Sequence, residues 1–568
     1  MDVPDPDAGP DNRQPAVATR ISESRPDTNK EPADTADDAF LASWRLVAVI
    51  GSLCLGILLF GLDINIIGTA IPQITTEFGS LASVSWYGSA YLLTLTAFQP
   101  LFGNLYKYFN AKVVFLVSLV LFEVGSAVCA TAPRSEILIF GRAFLGFGAA
   151  GLLQGALAII GYVVRLDRVP LFQGIVISSF GVSVCIGPVI GGALTQYATW
   201  RWCFWINIPV GFCSIVVVLL CVPLEQSSNK TNRSLSPANK LRHIDVIGTI
   251  LFIGAICSLL LVLTWGGTTY AWSDPRCIGL FVSFGFLTSS FSYWMWRKKE
   301  LAFIPLRVLG QRSICMGTLA IFGIGLASQV YAYYLPVFFQ SAQGVSTTES
   351  GARFIALVAP QIVSLVVVGA FVSKWGHYVP FMISGIVIAA VGAGLLTTLD
   401  TTTPAAQWAA FLVITGIGIG MAQQLPYTAV QAVLDAEDVA TGNAITVFSY
   451  QLGGALGLAI GQSLLLPELR KAVSELAGAI PPDLVMAVGP TGLDKLAPEP
   501  AILSALRQAY AQSVRPPLIL AVAAVCFAFA PSCMMEWRNI KKVAAERVRL
   551  EKEGKDAVEM AETTGPEV

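Results

Sequence analysis

The sequence predicts an all-α polytopic membrane protein with 14 transmembrane helices arranged as 6+2+6. Three observations carry this. Of the 568 residues 54% are hydrophobic and only 13% charged, with a mean hydropathy of +0.66, whereas a soluble domain carries about 25% charged residues. Apolar runs of about 20 residues, the length needed to cross hydrocarbon, recur along the chain. Glycine spacings in the first third return in the last third.

The qualifying runs are 46–72, 84–105, 112–131, 137–161, 171–195, 202–223, 245–266, 277–296, 313–339, 351–373, 379–398, 407–430, 443–465 and 516–535. Residues 1–43, rich in Pro, Asp and Thr with no apolar h-region, read as a disordered tail rather than a signal peptide. Lys107, Lys112, Arg165, Arg168, Lys230, Arg233, Lys240, Arg242, Arg297, Lys298, Lys299, Arg307, Arg312 and Lys374 fall in one set of short loops, against Arg134, Arg201 and Arg276 in the other. The positive-inside rule therefore puts both tails (1–43 and 536–568) and the 224–244 loop in the cytoplasm. The sequons at Asn229 and Asn232 should then carry no glycan. The segment 466–515 falls outside, with LRKAVSELAGAI and PAILSALRQAYAQS as short amphipathic helices of a cap.

Gly103 and Asn110 stand seven apart after the second span, as do Gly369 and Gly376 after the tenth. Gly146, Gly148 and Gly151 on span four answer to Gly416, Gly418 and Gly420 on span twelve, and span thirteen holds Gly453, Gly457 and Gly461 where span five is also glycine-rich. The reading is a six-helix bundle at 44–223, an inserted pair at 245–296, and a second bundle at 313–535. Internal repeats around a central cavity are the architecture of alternating-access transporters.

Span five reads GVSVCIGPVIGG. Gly181, Gly187, Pro188, Gly191 and Gly192 fall within roughly a 140° arc of a helix, leaving one face almost bare. A neighbour can approach that face closely, and Pro188 should bend it, which suits either ordinary packing or a pivot between moving halves.

Asp63, Glu123 and Arg142, with Arg353 near a span end, are the ionisable residues within spans. Each needs a partner or a watery cavity, because a charge at mid-membrane costs about 2.5–3.5 kcal/mol on insertion scales. Counting 1.5 Å per residue puts Asp63 roughly 25 Å from the inner end of its span and Arg142 roughly 8 Å from the outer end of its own, so the two can meet. Asp63 is either a proton-titrating group tuned by Arg142 or half of a fixed ion pair, and Glu123 is a further candidate. Trp86, Tyr87, Tyr91, Gln99, Gln154, Tyr331, Tyr333, Tyr334, Gln361, Gln423, Gln424 and Gln451 are candidates for the cavity wall. Aromatics with scattered amides suit a large, mostly apolar solute.

Several classes are excluded or disfavoured. A net charge of -1 leaves no basic surface for nucleic acid. The 11 cysteines show neither disulfide nor zinc spacing, two histidines cannot build a multi-histidine metal box, and no GxxxxGK[ST] loop binds ATP. No cofactor or metal is expected, and an enzyme is not.

On GPVIGG with WRWCFWINIPVG (Gly187–Gly192, Trp200–Gly211), LDINIIGTAIP (Leu62–Pro72) and GRAFLGFGAAG (Gly141–Gly151), the chain resembles the major facilitator superfamily. Within it, the fourteen-span drug:proton antiporters of the fungal toxin and multidrug efflux type are the nearest pattern. Leu145 stands where a Gln is common, and GNLYKYFNAK lacks that family's Asp near Lys107, second Gly near Asn110 and Arg near Ala111. The resemblance implies a monomer in the plasma membrane, with the vacuolar membrane left open. Its partners are protons, lipid and a small amphipathic secondary metabolite, toxin or drug, exported by proton-coupled alternating access. An uptake carrier such as a siderophore-iron importer and a non-transporting receptor are the alternatives. The antiporter signature stands against the first and the duplicated cavity against the second.

Overall fold

The computed structural model describes residues 43–78, 84–222, 245–267, 270–299, 302–478, 480–489, 492–497 and 499–563. The expected tail over 1–42 and the whole 224–244 loop, with both sequons, lie outside the described residues.

The chain is a succession of long helices. The first group is α1 (Ser43–Phe78), α2 (Val84–Tyr108), α3 (Ala111–Ala130), α4 (Ser135–Val163), α5 (Val169–Tyr197) and α6 (Trp202–Cys221). Then come α7 (Val246–Trp265) and α8 (Pro275–Lys298). The second group is α9 (Arg312–Ser341), α10 (Thr347–Trp375), α11 (Val379–Leu396), α12 (Ala405–Val433), α13 (Val439–Leu476) and α14 (Pro500–Cys533), followed by α15 (Ile540–Thr563). Among the described residues 13 helices are long and apolar enough to cross a membrane. The expected span that is not among them is the second, 84–105, which is helical as α2, but Trp86, Tyr87, Tyr91, Gln99 and Asn104 dilute its apolar character. The 466–515 segment differs from the expected free cap. Its two amphipathic stretches continue α13 and α14, with short helices at Pro482–Val488 and Leu493–Leu496 between them. Leu469, Val473, Val485 and Leu506 are buried in the same apolar cluster as the second group of helices, which holds the segment down.

Local chemistry sets the helix ends. Asn110 caps α3 by accepting from Lys112 N at 3.0 Å, and Asp245 caps α7 by accepting from Gly248 N at 3.0 Å. Gly376, at φ 84°, closes α10 in the left-handed region. The ends rich in Lys and Arg, namely the α2–α3, α4–α5, α8–α9 and α10–α11 turns, are called the basic end below.

Helix packing repeats between the groups. A Cβ added at Gly146 would stand closer than 3.0 Å to the α2 backbone at Tyr91, and one at Gly148 to the α3 backbone at Phe122. Gly416 and Gly418 meet α10 at Leu357 and α11 at Ala389 in the same way. Lipid is as apolar as leucine, so helices associate in a membrane by such close backbone approach rather than by hydrophobic burial. The pair α7–α8 rests on an aromatic knot, with the Phe252 ring 5.4 Å from Phe291, 5.5 Å from Phe303 and 5.1 Å from Phe448 of α13. Asp245 fastens the same place by accepting from Trp294 Nε1 at 2.9 Å and Phe303 N at 3.1 Å.

At the opposite end, beyond the apolar part of α1, Trp200 Nε1 donates to Glu77 Oε2 at 2.6 Å and Arg201 Nη1 to Oε1 at 2.8 Å. These donors hold the Glu77 carboxyl below its ordinary range, Trp200 first.

Leu at Gly148 or Gly418 should cost about 1–3 kcal/mol or more, since rigid backbone blocks the side chain. Size-exclusion chromatography of detergent-solubilised protein should show a several-fold loss of the monodisperse peak, while Gly279→Leu, which meets nothing within 4 Å, keeps it. The lowered Glu77 pKa makes its contribution present above the unfolded carboxylate value and lost as pH falls through the folded one. Glu77→Gln should therefore lower the melting temperature by about 1–3 °C at pH 7, a modest shift because the pair is half-exposed, and by progressively less as the solution is acidified. A gap that persists in acid would show that Glu77 acts by packing alone.

Candidate functional site

The most deeply buried charges lie together inside the first group of helices. Asp63 on α1 is 0% exposed and Arg142 on α4 1% exposed. Arg142 Nη1 donates to Asp63 Oδ2, its Nε donates to the Tyr87 carbonyl at 2.7 Å, and its guanidinium lies 4.5 Å over the Tyr91 ring. An arginine so placed spends its charge on a carboxylate, a carbonyl and a π-face, which offsets much of the desolvation cost. Asp63 Oδ1 and Tyr91 Oη have no hydrogen-bond partner among the described residues. Glu123 of α3 lies against α6, where a Cβ on Gly211 would collide with its carboxylate; neither of its oxygens has a described hydrogen-bond partner.

Between the two groups of helices lies a cavity of about 310 Å³. Its first wall is apolar: Ile57, Phe60 and Ile64 from α1, and Ile177, Phe180 and Val184 from α5. Its second wall carries Gln329, Tyr331 and Tyr333 of α9, Gln361 of α10, Gln423 and Tyr427 of α12, and Tyr450 and Gln451 of α13. A cluster drawn from both sides, Leu157, Ile177, Ile321, Leu365, Tyr427 and Val447, forms its floor.

Below the floor, polar ties close the basic end. Lys107 donates to Asp438 Oδ1 at 2.9 Å and Arg307, in the α8–α9 linker, to Oδ2; Asp438 is 2% exposed. Gln154 Nε2 donates to Ala440 O at 2.6 Å, Thr428 Oγ1 to Gln173 Oε1 at 3.0 Å, and Leu171 N to Ser373 Oγ at 3.3 Å. Among the described residues, every hydrogen bond between α1–α6 and the α9–α14 group lies at this end. Asn104 Nδ2 adds a tie to Phe303 O at 3.1 Å.

Of the residues singled out in the sequence, Tyr331, Tyr333, Gln361, Gln423 and Gln451 line the cavity. The others proposed for the wall are occupied elsewhere. Trp86 packs edge-on against Trp265 at 5.8 Å, Tyr87 bonds Ser135 Oγ at 2.8 Å, and Tyr91 faces Arg142. Gln99 is fully buried off the wall, and Gln154 belongs to the basic-end closure. Tyr334 donates to Leu458 O at 3.0 Å and Gln424 Nε2 to Leu365 O at 2.8 Å. Spacing along a helix gave depth, whereas these side chains differ in the direction they face. Asn65, Gln329, Tyr427 and Tyr450 are on the wall and were missed, although each is a polar residue inside an apolar run, the signal that found the rest.

The glycine face of α5 also divides. Gly181 meets Ile362 of α10, across the cavity. Gly187 and Gly191 instead press on Asn65, Ile66 and Thr69 of α1, within the first group, just as Gly453 and Gly457 press on α9 in the second. Gly192 meets nothing within 4 Å, and α5 runs unbroken through Pro188. The bare face is thus mostly a packing seam, and only Gly181 lies between the two groups.

Residues 53–458 match the sequence profile of the Major Facilitator Superfamily. The chain is 40% identical to an MFS-type efflux pump of Trichophyton rubrum over 497 residues, covering 88% of this chain and 92% of the relative. It is 38% identical to the aspyridones efflux protein of Neocamarosporium betae, with 92% of each covered, and 37% identical to the efflux pump aflT of Aspergillus parasiticus, with 88% and 97% covered. Among solved structures, the fold is similar to the proton:xylose symporter XylE (TM-score 0.55, 14% identity, 89% of this chain and 99% of that one). It is also similar to the human organic anion transporter MFSD10 (TM-score 0.52, 13% identity, 84% and 99%). Given its duplicated helix packing, its central cavity and these matches, the chain belongs to the major facilitator superfamily.

Proposed function

We propose that the protein is a proton-coupled efflux transporter that takes a small amphipathic molecule from the cytoplasm or inner leaflet and releases it outside by alternating access. The observation that carries this is a cavity between two alike helix groups, sealed at the basic end by ties that must part for that end to open. Relatives that the chain covers nearly end to end bear efflux names, which supports export over uptake.

In this reading α1–α6 and α9–α14 are the moving bundles, α7–α8 an inserted pair, and the unit a monomer of the plasma membrane. Both termini and the basic end face the cytoplasm. Asp63 exchanges a proton with the outside while Arg142 competes for its carboxylate, and α1 carries the change to the cavity, because Ile64 and Asn65 on the wall directly follow Asp63. Glu123 is a second proton-accepting carboxylate. Tyr331, Gln361 and Gln451 contact the solute, and Gly181 is the close contact about which α5 and α10 move. One proton entering down about 100 mV and one pH unit supplies roughly 2.3 plus 1.4 kcal/mol, enough for a concentration ratio of a few hundred.

Asp63→Asn should cut gradient-driven export in reconstituted vesicles at least about tenfold while sparing solute binding. It also leaves Arg142 without a counter-ion, at about 3–5 kcal/mol, which lowers folded yield. Adding Arg142→Gln should restore yield without restoring uphill export; recovery of both together would make the pair purely structural. Epitope tags at either end should stain only in permeabilised cells, and staining of intact cells would reverse the proposed orientation.

A further inference from the structure

The two cavity walls differ in chemistry, and neither carries a charge. Among the described residues no Asp, Glu, Lys, Arg or His lines the cavity. The ionisable residues that neighbour wall positions in the chain are already engaged. Asp63, beside Ile64, is taken by Arg142. Arg353, beside Phe354, donates to Glu349 Oε1 at 2.6 Å and to Gln343, and its guanidinium lies 5.6 Å from the Phe339 ring and 5.1 Å from the Trp408 ring. An ion entering this space would lose water and meet no counter-charge.

The hydrogen-bonding capacity is one-sided. On the first wall the polar side chain, Asn65, donates Nδ2 back to Gly61 O at 2.7 Å within α1. The Phe60 and Phe180 rings, 5.5 Å apart and tilted 35° to one another, stand among aliphatic side chains there and make that wall an apolar surface. On the second wall Gln361 Nε2 donates to Gln423 Oε1 at 2.7 Å and Gln423 Nε2 to Tyr450 Oη at 3.3 Å, so a polar row crosses α10, α12 and α13. Tyr331 Oη, beside that row, is buried without a described partner. Amides and hydroxyls both donate and accept, so they match hydroxyl, carbonyl and ether oxygens.

We propose that the cargo is an uncharged, oxygenated molecule that lies with its apolar face on α1 and α5 and its hydrogen-bonding edge toward α9, α10, α12 and α13. This rests on the export reading and names the class of solute that export serves. Selection then comes from the absence of a counter-charge as much as from the contacts made, because an ion of equal size and hydrophobicity is rejected by its unrelieved desolvation.

The test uses three fluorescent probes on the purified full chain: quinizarin, a neutral dihydroxyanthraquinone; rhodamine 6G, a cation; and fluorescein, an anion. Equilibrium binding should favour quinizarin over either ion by at least about tenfold. Gln451→Glu places a carboxylate on the wall and should raise rhodamine 6G binding by about tenfold while weakening quinizarin. Size-exclusion chromatography confirms that the variant is folded, and Gln451→Asp provides a second acidic variant if it is not. Rhodamine 6G or fluorescein bound as tightly as quinizarin by the unaltered protein, or none of the three bound, overturns the proposal. Vesicles with an imposed proton gradient separate it from the export reading. A preference for quinizarin in binding without gradient-driven movement counts against export and supports the uncharged ligand, whereas equal movement of all three supports export and defeats the selectivity.

Discussion

Helices surrounded by lipid gain nothing by hiding leucine from one another, so this protein is held together by how closely its backbones can approach. Glycine supplies that closeness at matching seams within each bundle: Gly146 and Gly148 on α4, Gly187 and Gly191 on α5, and their counterparts Gly416, Gly418, Gly453 and Gly457 on α12 and α13. The two groups also meet through glycine toward the basic end, Gly174 of α5 against Leu365 and Gly369 of α10 against Pro170. The cavity lies between the two groups.

Polarity is distributed to suit this division. The buried pair Asp63–Arg142 lies within the first bundle, where Arg142 is satisfied by Asp63, the Tyr87 carbonyl and the Tyr91 face at once. Neutral hydrogen-bonding groups are kept on the cavity wall of the second. In the proposed mechanism the proton and the solute would use different residues, and α1 would be the element common to both because Asp63 is buried against Arg142 while Ile64 lines the cavity. Coupling would then be a matter of helix position rather than of direct competition for one carboxylate.

Hydropathy made most of the helices legible in the sequence, because each needs only a run of the right length. It was weakest at α2, whose tyrosines, tryptophan and amides serve inter-helix contacts, and in 466–515, where amphipathic stretches prolong α13 and α14. Residue counting along each span gave depth, which was enough to expect that Asp63 and Arg142 could meet. It could not give azimuth. Gln423 lines the cavity and its neighbour Gln424 does not; Tyr333 lines it and Tyr334 turns back to Leu458. Adjacent residues on a helix point about 100° apart, and which direction faces the cavity depends on partners hundreds of residues away. The same limit applied to α5, whose bare face could be recognised but not the helix it would touch.

The linker between α8 and α9 fastens to both sides of the closed end, Phe303 through Asn104 of α2 and Arg307 through Asp438 ahead of α13. The two attachments are only four positions apart in the chain, a length that reaches at most about 14 Å when fully extended. While both attachments hold, the linker is a tether of fixed length across the gap, and the stroke of the molecule at that point cannot exceed its slack. The aromatic knot and Asp245 anchor the tether to α7 and α8. In the proposed alternating access, these two helices, which line no part of the cavity, would thereby act as a mechanical stop on the motion.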